Sequence, residues 1–386
     1  MKKRILIVAS WRMQHVRRFV NNLIEVKGTD LIIDYLDNSY GFDNIVINGI
    51  DHLYTIKQIP INRFLIRIPK LRMFLVKNKT CKMVEKLIRE NKYDMVNMQV
   101  VHDYAVNVMK ICQNNKVKTL LSPFGSEVIR ISQKQKKHLR GAFDSATYVA
   151  TKENSSFSDY LVKTYGVDKS KFVSYGAGSE TISSIIKLKG KSSREQMSHE
   201  LGIPVSDFNI CCGYNAQKAQ RHKEMLQALA DNKEDLPAGY QVLIPLTYGD
   251  GKQRLFDELK KLSEELSLNT VFFTDYMSAD RVAYLRLVTD LFIHVQTTDA
   301  ANASLQEFLL AGATCINGKW LSYPYLESDG IPYYQCDDIA HLGSAVHNAL
   351  LKESLPSPLS NGTIKTIEES SIENVVESWK NLFLNS

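Results

Sequence analysis

Two carboxylates eight positions apart frame a run of small residues in the C-terminal half of the chain. The run from Thr297 to Ala303 separates an apolar strand pattern ending at Val295 from a helical pattern beginning near Ser304. Small side chains let a ligand approach the backbone, and the first turn of a helix presents unpaired N–H groups. Asp299 lies at the mouth of this loop and Glu307 in the helix. The arrangement suits a diphosphate with sugar hydroxyls on either side.

The same segment allows a purely structural role for Glu307. Ser304-Leu305-Gln306-Glu307 is also a capping box, in which the glutamate accepts a hydrogen bond from the backbone N–H of Ser304. The sequence leaves both roles open. The loop contributes three further candidate ligands of the diphosphate and its sugar: Thr298, Asn302 and Ser304.

A second polar segment, CGYNAQKAQRHKEMLQAL at 212–229, also follows a strand pattern. Tyr214 and Asn215 occupy the turn directly after the strand and are candidate ligands. Three nearby cations can neutralise a diphosphate, or can be solvated without a ligand: Lys218, Arg221 and Lys223. His222 shares a helical face with Met225 and Leu226, which favours a core histidine.

In the N-terminal half, three strand ends carry candidate residues for a second substrate. TLLSPFGSE at 119–127 reads as a strand followed by a turn containing Gly125, Ser126 and Glu127. The strand pattern at 95–101 ends close to Gln99 and His102, and either side chain can bind a sugar hydroxyl. The turn SWRMQH at 10–15 adds His15. These turns also favour such residues for local structural reasons.

The elements that position these residues alternate between short apolar runs and helical patterns. Apolar runs are found at 5–9, 31–36, 95–101, 117–122, 147–151 and 172–176, and again at 208–213, 240–246, 270–274, 290–295, 313–317 and 332–336. Strands that alternate with helices predict parallel, doubly wound sheets. A polar stretch at 187–200 separates the two series. We therefore expect domains at 1–185 and 186–365, facing each other across a cleft, and a packed C-terminal helix at 366–386.

The Asp299 to Glu307 segment resembles the signature of GT-B glycosyltransferases, in particular retaining family four, in which two glutamates separated by seven intervening residues are followed by an apolar helix and a strand. The resemblance implies an α/β chain with two Rossmann-like domains and a nucleotide diphosphate sugar as donor substrate. It implies that Asp299 contacts the donor sugar and Glu307 the nucleotide ribose, with the base near Thr274 to Met277, where Tyr276 is a candidate contact. Asp299 replaces the glutamate of the family, and Tyr214 its arginine.

The Gly-Tyr-Asn-Ala turn at 213–216 and IPLTYGD at 244–250 resemble bacterial lipid-linked Fuc4NAc transferases instead. Those enzymes also have the GT-B fold but invert the transferred sugar, whereas family four retains its configuration. The spacing of Asp299 and Glu307 favours retention. In an inverting enzyme, His102 would be the candidate base. Under either mechanism the resemblance places Gly125, Ser126, Glu127 and His15 on the acceptor side.

Composition limits the remaining possibilities. The chain has 386 residues, a net charge of +6 and six cysteines without C-x-x-C spacing, which predicts a folded protein with reduced thiols in the cytoplasm. Residues 63–92 carry ten Lys or Arg against two Glu among apolar residues. This stretch suits an anionic membrane surface or a solvated helix face, and no nucleic-acid motif accompanies it. With no Asp-x-Asp present, we expect neither a dedicated metal nor another cofactor.

Together these features predict a glycosyltransferase that acts on a glycan or lipid-linked saccharide in bacterial surface polysaccharide assembly, at the inner face of the membrane. Two alternatives share the fold: a catalytically silent partner subunit, and a nucleotide-sugar epimerase. A dinucleotide enzyme is poorly supported, because no Gly-x-Gly-x-x-Gly follows the first strand.

Overall fold

The computed structural model describes residues 2–39, 45–56, 69–151, 156–173, 178–249, 251–299 and 303–385. Their backbone contacts divide them into two units. Unit 1 consists of residues 1–178 together with 372–386, and unit 2 consists of residues 179–371.

The described part of unit 1 contains a sheet of seven parallel strands with helices between them. Its elements are β1 (Lys3–Ala9), α1 (Gln14–Val26), β2 (Leu31–Asp37), β3 (His52–Thr55), α2 (Pro69–Glu90), β4 (Met95–Gln99), α3 (Ala105–Asn114), β5 (Lys118–Ser122), α4 (Ser126–Ile129), α5 (Gln133–Ser145), β6 (Tyr148–Ala150), α6 (Ser156–Tyr165), β7 (Phe172–Val173) and, after unit 2, α16 (Ile372–Leu384).

Unit 2 contains a sheet of six parallel strands among its described residues. Its elements are α7 (Glu180–Leu188), α8 (Arg194–Leu201), β8 (Phe208–Cys212), α9 (His222–Asp231), β9 (Tyr240–Pro245), α10 (Lys252–Glu265), β10 (Thr270–Phe273), α11 (Ala279–Val288), β11 (Leu291–His294), α12 (Ala303–Ala311), β12 (Thr314–Gly318), α13 (Pro324–Glu327), β13 (Tyr334–Cys336), α14 (Leu342–Leu350) and α15 (Asn361–Glu368).

Both sheets are doubly wound, as the alternation of apolar runs predicts. The strand order is β3-β2-β1-β4-β5-β6-β7 in unit 1 and β10-β9-β8-β11-β12-β13 in unit 2. Strands in the centre of each sheet are buried and mostly apolar because helices cover both faces. Each of the twelve apolar runs contributes a strand. The remaining strand, β3, lies at the sheet edge and is partly exposed, so its sequence HLYT carries no apolar run.

The final helix, α16, packs on the core of unit 1. Its stripe of Val375, Val376, Trp379 and Phe383 is buried in one cluster with the apolar face of α1. The ring centres of Trp379 and Phe19 lie 4.1 Å apart in an edge-to-face arrangement. The spacing of this stripe along the sequence reflects that buried face.

The chain passes from unit 1 to unit 2 between Gly178 and Ser179 and returns after Ser371. Gly178 has a φ of 66°, and a Cβ atom there would lie 2.5 Å from Cδ1 of Ile372, so only glycine fits. In unit 2, Ser179 forms a parallel bridge with Ser371. The unit boundary therefore precedes α7, whereas the expected boundary at 185/186 falls inside that helix. The reason is that α7 packs against α11 of unit 2.

Replacing Trp379 with alanine should remove a large buried side chain from unit 1. The side chain is 1% exposed. We expect Trp379→Ala to lower the free energy of unfolding by about 3–5 kcal/mol. Urea denaturation followed by circular dichroism measures the change. Asn381→Ala, on the exposed face of the same helix, is the matched control and should change stability by less than about 0.5 kcal/mol. Equal unfolding midpoints for the two variants would contradict the packing of α16.

Candidate functional site

The strand order of unit 2 creates a crevice beside β8. From β8 the chain proceeds through α9 to β9 on one side, and later returns through α11 to β11 on the other side. The loops that follow β8 and β11 therefore leave the sheet in opposite directions, and ligands of doubly wound folds bind in the opening between such loops. Both polar segments of the C-terminal half meet at this point.

The turn after β8 depends on Gly213. Its φ is 65°, and a Cβ atom there would lie 2.9 Å from Nε2 of His222 and 3.0 Å from Oε1 of Gln220. The turn brings Tyr214 against the loop after β11, where its hydroxyl donates a hydrogen bond to Oε1 of Gln296 at 3.1 Å. Burial raises the pKa of Tyr214 above its ordinary value, so the hydroxyl stays a neutral donor.

Asp299 lies within reach of two side chains of the crevice. The hydroxyl of Tyr323 donates a hydrogen bond to Oδ2 of Asp299 at 3.1 Å. The same oxygen lies 3.6 Å from Nε2 of His294, the last residue of β11, which is fully buried. Thr298 beside Asp299 is exposed, Ser304 is buried in the first turn of α12, and the predicted ligand Asn302 lies outside the described residues.

Glu307 is buried inside unit 2 and joined to two partners. Its Oε2 atom accepts a hydrogen bond from Nε of Arg286 at 3.1 Å, and its Oε1 atom accepts one from Oγ of Ser179 at 2.9 Å. Glu307 is 6% exposed and Arg286 is 5% exposed, so the two form a buried ion pair. The guanidinium of Arg286 also lies over the ring of Phe308, 4.2 Å from its centre. The capping box predicts none of these contacts.

The predicted cations at the start of α9 line one cavity of about 550 Å³. Lys218, Arg221 and Lys223 share it with Arg254 of α10, and the residues that begin α9 and α10 also line it. Glu258 binds two of these cations, with Lys223 at 2.6 Å and Arg254 at 2.9 Å. Arg254 was missed from sequence because no motif marks it, although its spacing of four from Glu258 suggests the ion pair.

Arg221 connects this cavity to the crevice. Its backbone adopts a φ of 63°, and its guanidinium carbon lies 5.0 Å from the ring centre of Trp320. The indole N–H of Trp320 in turn donates a hydrogen bond to the carbonyl of Gln296 at 2.7 Å. Gln296 and Trp320 were not among the predicted residues, because neither belongs to a recognised pattern.

The remaining predicted residues of unit 2 have different environments. Asn215 is buried and fixes its own turn, since its Oδ1 atom accepts from the backbone N–H of Gln217 at 2.9 Å. His222 is buried on the apolar face of α9, as its spacing predicts, and burial lowers its pKa to about 4. Tyr276, after β10, is 68% exposed. Within the described residues, no group of three or more His, Cys, Asp or Glu side chains is arranged to hold a metal.

In unit 1 the strand order reverses between β1 and β4, and His102 follows β4 at that point. Val100, two residues earlier, has a φ of 68°, which is strained for a β-branched side chain. The ring of His102 stacks on that of Tyr104 at 5.4 Å. Burial lowers the pKa of His102, and the nearby carboxylates of Glu127 and Asp103 oppose this shift.

The turn after β5 brings two other predicted acceptor-side residues together. His15 packs against Phe124, with ring centres 4.1 Å apart. Oε1 of Glu127 accepts a hydrogen bond from the backbone N–H of Phe124 at 2.7 Å, so Glu127 stabilises the turn. The carbonyl of Gly125 accepts a hydrogen bond from the backbone N–H of Ile129, the last residue of α4. The side chain of Ser126 lies outside the described positions.

Comparison with known proteins agrees with this geometry. Residues 4–153 match the family model described as glycosyl transferase 4-like. A search of curated protein sequences finds no match.

Solved structures resemble the chain over its whole length. A glycosyltransferase from Rickettsia africae is 14% identical with a TM-score of 0.70, and covers 99% of this chain and 98% of its own. Anabaena Alr3699/HepE in complex with UDP is 13% identical with a TM-score of 0.68 and full coverage of both chains, 100% and 100%. The lipopolysaccharide outer core galactosyltransferase WaaB, in its apo form, is 13% identical with a TM-score of 0.63 and 98% coverage of both. The predicted GT-B fold with two Rossmann-like domains is confirmed, as is the resemblance to family-four enzymes.

The pairing of Glu307 with Arg286 can be tested by comparing a single substitution with a double one. We expect Arg286→Met to lower the free energy of unfolding by about 3–5 kcal/mol, because it leaves a buried carboxylate without its ionic partner. Replacing both residues, with Arg286→Met and Glu307→Leu, should recover most of that loss. Chemical denaturation followed by circular dichroism measures all three proteins. A single variant as stable as the parent would show that the ion pair is not formed.

Proposed function

We propose that this protein transfers a sugar from a nucleoside diphosphate sugar to a glycan or lipid-linked saccharide in bacterial surface polysaccharide assembly. The observation that carries the proposal is the crevice beside β8, where a carboxylate and a tyrosine hydroxyl lie next to a cavity lined by cations. HepE was solved with UDP, and WaaB is a galactosyltransferase of the lipopolysaccharide outer core. The UDP complex of HepE supports a nucleotide sugar as donor, and the reaction named for WaaB supports a surface glycan as acceptor.

In this proposal the donor binds to unit 2. Asp299 accepts hydrogen bonds from hydroxyls of the donor sugar, and Lys218, Arg221 and Lys223 balance the charge of the diphosphate. Ser304, in the first turn of α12, lies where backbone N–H groups can also bind phosphate oxygens. Thr298 and Asn302, from the preceding segment of the sequence, remain proposed ligands of the same group. Tyr276, exposed after β10, stacks on the base. Glu307 remains the ribose ligand, because a carboxylate has about four acceptor sites and its two observed partners leave others.

Catalysis is mainly electrostatic in this proposal. As the bond between sugar and diphosphate breaks, negative charge develops on the leaving diphosphate, and the cations of the cavity stabilise it. The spacing of Asp299 and Glu307 supports retention of configuration. The lowered pKa of His102 keeps its imidazole neutral at physiological pH, so it can act as a base if the enzyme inverts instead. The anomeric configuration of the product, read by NMR, decides between the two.

Nucleotide binding tests the donor site. UDP, GDP, dTDP and CMP are compared by thermal shift, and we expect one nucleoside diphosphate to raise the melting temperature. Lys218→Ala and Arg221→Ala should each weaken its binding about tenfold, because each removes a charge-assisted contact. The matched control is Lys260→Ala, on the exposed side of α10, which should bind as the parent does.

A panel of nucleotide sugars then distinguishes the alternatives. Slow release of nucleotide supports a transferase, and an epimerised sugar nucleotide would replace the proposal with an epimerase. A protein that binds nucleotide sugars but releases no nucleotide from them is a silent partner subunit. This outcome is tested because Tyr214 stands where the family has an arginine. If no nucleotide binds, the proposed function is wrong.

We further propose that α2 contacts the anionic inner face of the cell membrane, where a lipid-linked acceptor would lie. Phe74 and Met73 are 58% and 39% exposed, and Lys82 and Lys86 are exposed on the same helix. Apolar side chains flanked by cations suit the boundary between headgroups and acyl chains. Part of the predicted stretch, residues 63–68, lies outside the described residues. No helix in the described ranges is long and apolar enough to cross a membrane.

Flotation with liposomes tests this surface. The protein should float with vesicles that contain phosphatidylglycerol and not with pure phosphatidylcholine. Charge reversal by Lys82→Glu with Lys86→Glu should abolish flotation, because each basic residue contributes about 1 kcal/mol near an anionic surface. Lys233→Glu with Lys260→Glu makes the same change in net charge on unit 2 and should leave flotation intact. Indifference to lipid charge would contradict the membrane contact and leave the donor site untouched.

A further inference from the structure

Three buried side chains form a continuous hydrogen-bond chain beneath Asp299. His294 ends β11, Gln296 follows it, and Asn317 lies opposite His294 in the register of β12. Nδ1 of His294 lies 2.8 Å from Oδ1 of Asn317, and Nε2 of His294 lies 3.1 Å from Nε2 of Gln296. Each of the three side chains is at most 3% exposed. Their polar atoms therefore depend on one another rather than on water.

The surroundings of Asn317 fix the proton on Nδ1 of His294. The amide nitrogen of Asn317 donates to the carbonyl of Leu321 at 2.8 Å and to that of Gly318 at 3.3 Å. Because two carbonyls occupy the amide nitrogen, the amide oxygen is the atom that faces His294. An oxygen can only accept, so Nδ1 must donate.

The surroundings of Gln296 fix the other ring nitrogen. The hydroxyl of Tyr214 and the amide nitrogen of Gln220 both donate to Oε1 of Gln296, at 3.1 Å and 2.9 Å. The amide nitrogen of Gln296 therefore points at Nε2 of His294 and donates to it. A ring nitrogen that accepts a hydrogen bond carries no proton.

We propose that Gln296 and Asn317 are positioning residues that hold His294 as the neutral tautomer protonated at Nδ1, so that Asp299 keeps its negative charge for the hydroxyls of the donor sugar. Oδ2 of Asp299 lies 3.6 Å from the unprotonated Nε2. If that nitrogen carried a proton, it would donate to the carboxylate, neutralise it and occupy the oxygen. The part that concerns the sugar rests on the proposed function, whereas the tautomer of His294 does not.

The groups that face His294 agree with a neutral ring. Asp299 comes from the loop after β11, Tyr214 from the turn after β8, and Tyr323 from the segment after β12, with the two tyrosine rings centred 6.3 Å and 6.4 Å away. Burial lowers the pKa of His294, while Asp299 and Asn317 oppose that shift. Both tyrosines have a raised pKa through burial and stay neutral. Asp299 is thus the charged group that faces the ring from these elements.

The experiment uses the full chain labelled with ¹⁵N-histidine. In the parent, the NMR signals of His294 should report the Nδ1-protonated tautomer. They should not titrate between about pH 5.5 and pH 8, an interval that contains the ordinary histidine pKa of about 6.5. Asn317→Asp keeps the acceptor and adds a charge that favours the imidazolium. Gln296→Glu does the same from the other side. Both variants should make His294 titrate within that range.

Binding is measured in parallel with UDP-glucose and with UDP, which lacks the sugar. At pH 6 each variant should weaken UDP-glucose about tenfold and UDP less than about twofold, since only the sugar needs the charge of Asp299. The loss should shrink as the pH rises and His294 releases its proton. An ordinary titration of His294 in the parent, or equal loss for both ligands, would overturn the inference. If the parent binds neither ligand, the donor proposal fails for uridine, and the NMR titration alone decides the tautomer.

Discussion

The winding direction of the chain reverses between β8 and β11, and the polar chemistry of unit 2 depends on that reversal. If the chain wound in one direction from strand to neighbouring strand, the loops after these strands would lie side by side at the edge of the sheet. Here the loops diverge, and the opening exposes strand ends whose polar groups need partners. Tyr214 from one loop and Gln296 from the other satisfy each other, and this contact holds the crevice in a defined shape. Unit 1 repeats the arrangement between β1 and β4, where strained Val100 marks the corresponding place.

Charge is distributed between two kinds of environment in unit 2. Arg286 and Glu307 are both buried, and removing either member of such an ion pair leaves the other charge without its partner. The cations around the cavity at α9 and α10 are more exposed, and Glu258 balances Lys223 and Arg254 there. An anion that enters this cavity therefore competes with a carboxylate already bound. Such competition favours ligands with more than one negative charge, and a diphosphate satisfies that requirement.

Much of the fold follows directly from the sequence, because the apolar runs that form the strands are covered on both faces. The apolar stripe of α16 is also predicted from the sequence, since a single face of this helix is buried against the core of unit 1. The edge strand β3 is not predicted, because a partly exposed strand does not need an apolar run. Residue types at strand ends also mark Asp299, Tyr214 and the cations around α9 as polar groups near a crevice. The pairing of Glu307 with Arg286 could not be predicted, since it joins two different helices, α11 and α12, and no spacing rule within one helix marks it. Gln296 is an ordinary amide in the loop after β11 and Asn317 an ordinary amide in β12, and only the register of β11 with β12 brings Asn317 to His294.

The return of the chain to unit 1 after Ser371 has a consequence for how the protein is made. Synthesis proceeds from the N-terminus, so every residue of unit 2 has emerged from the ribosome while α16 is still missing. Until that helix arrives, the surface of α1 that receives Trp379 stays open to solvent. The core of unit 1 therefore becomes complete only after the last residues of unit 2 have been made, although its first strand is made first. In the interval it exposes an apolar face of the kind that chaperones bind and that promotes aggregation.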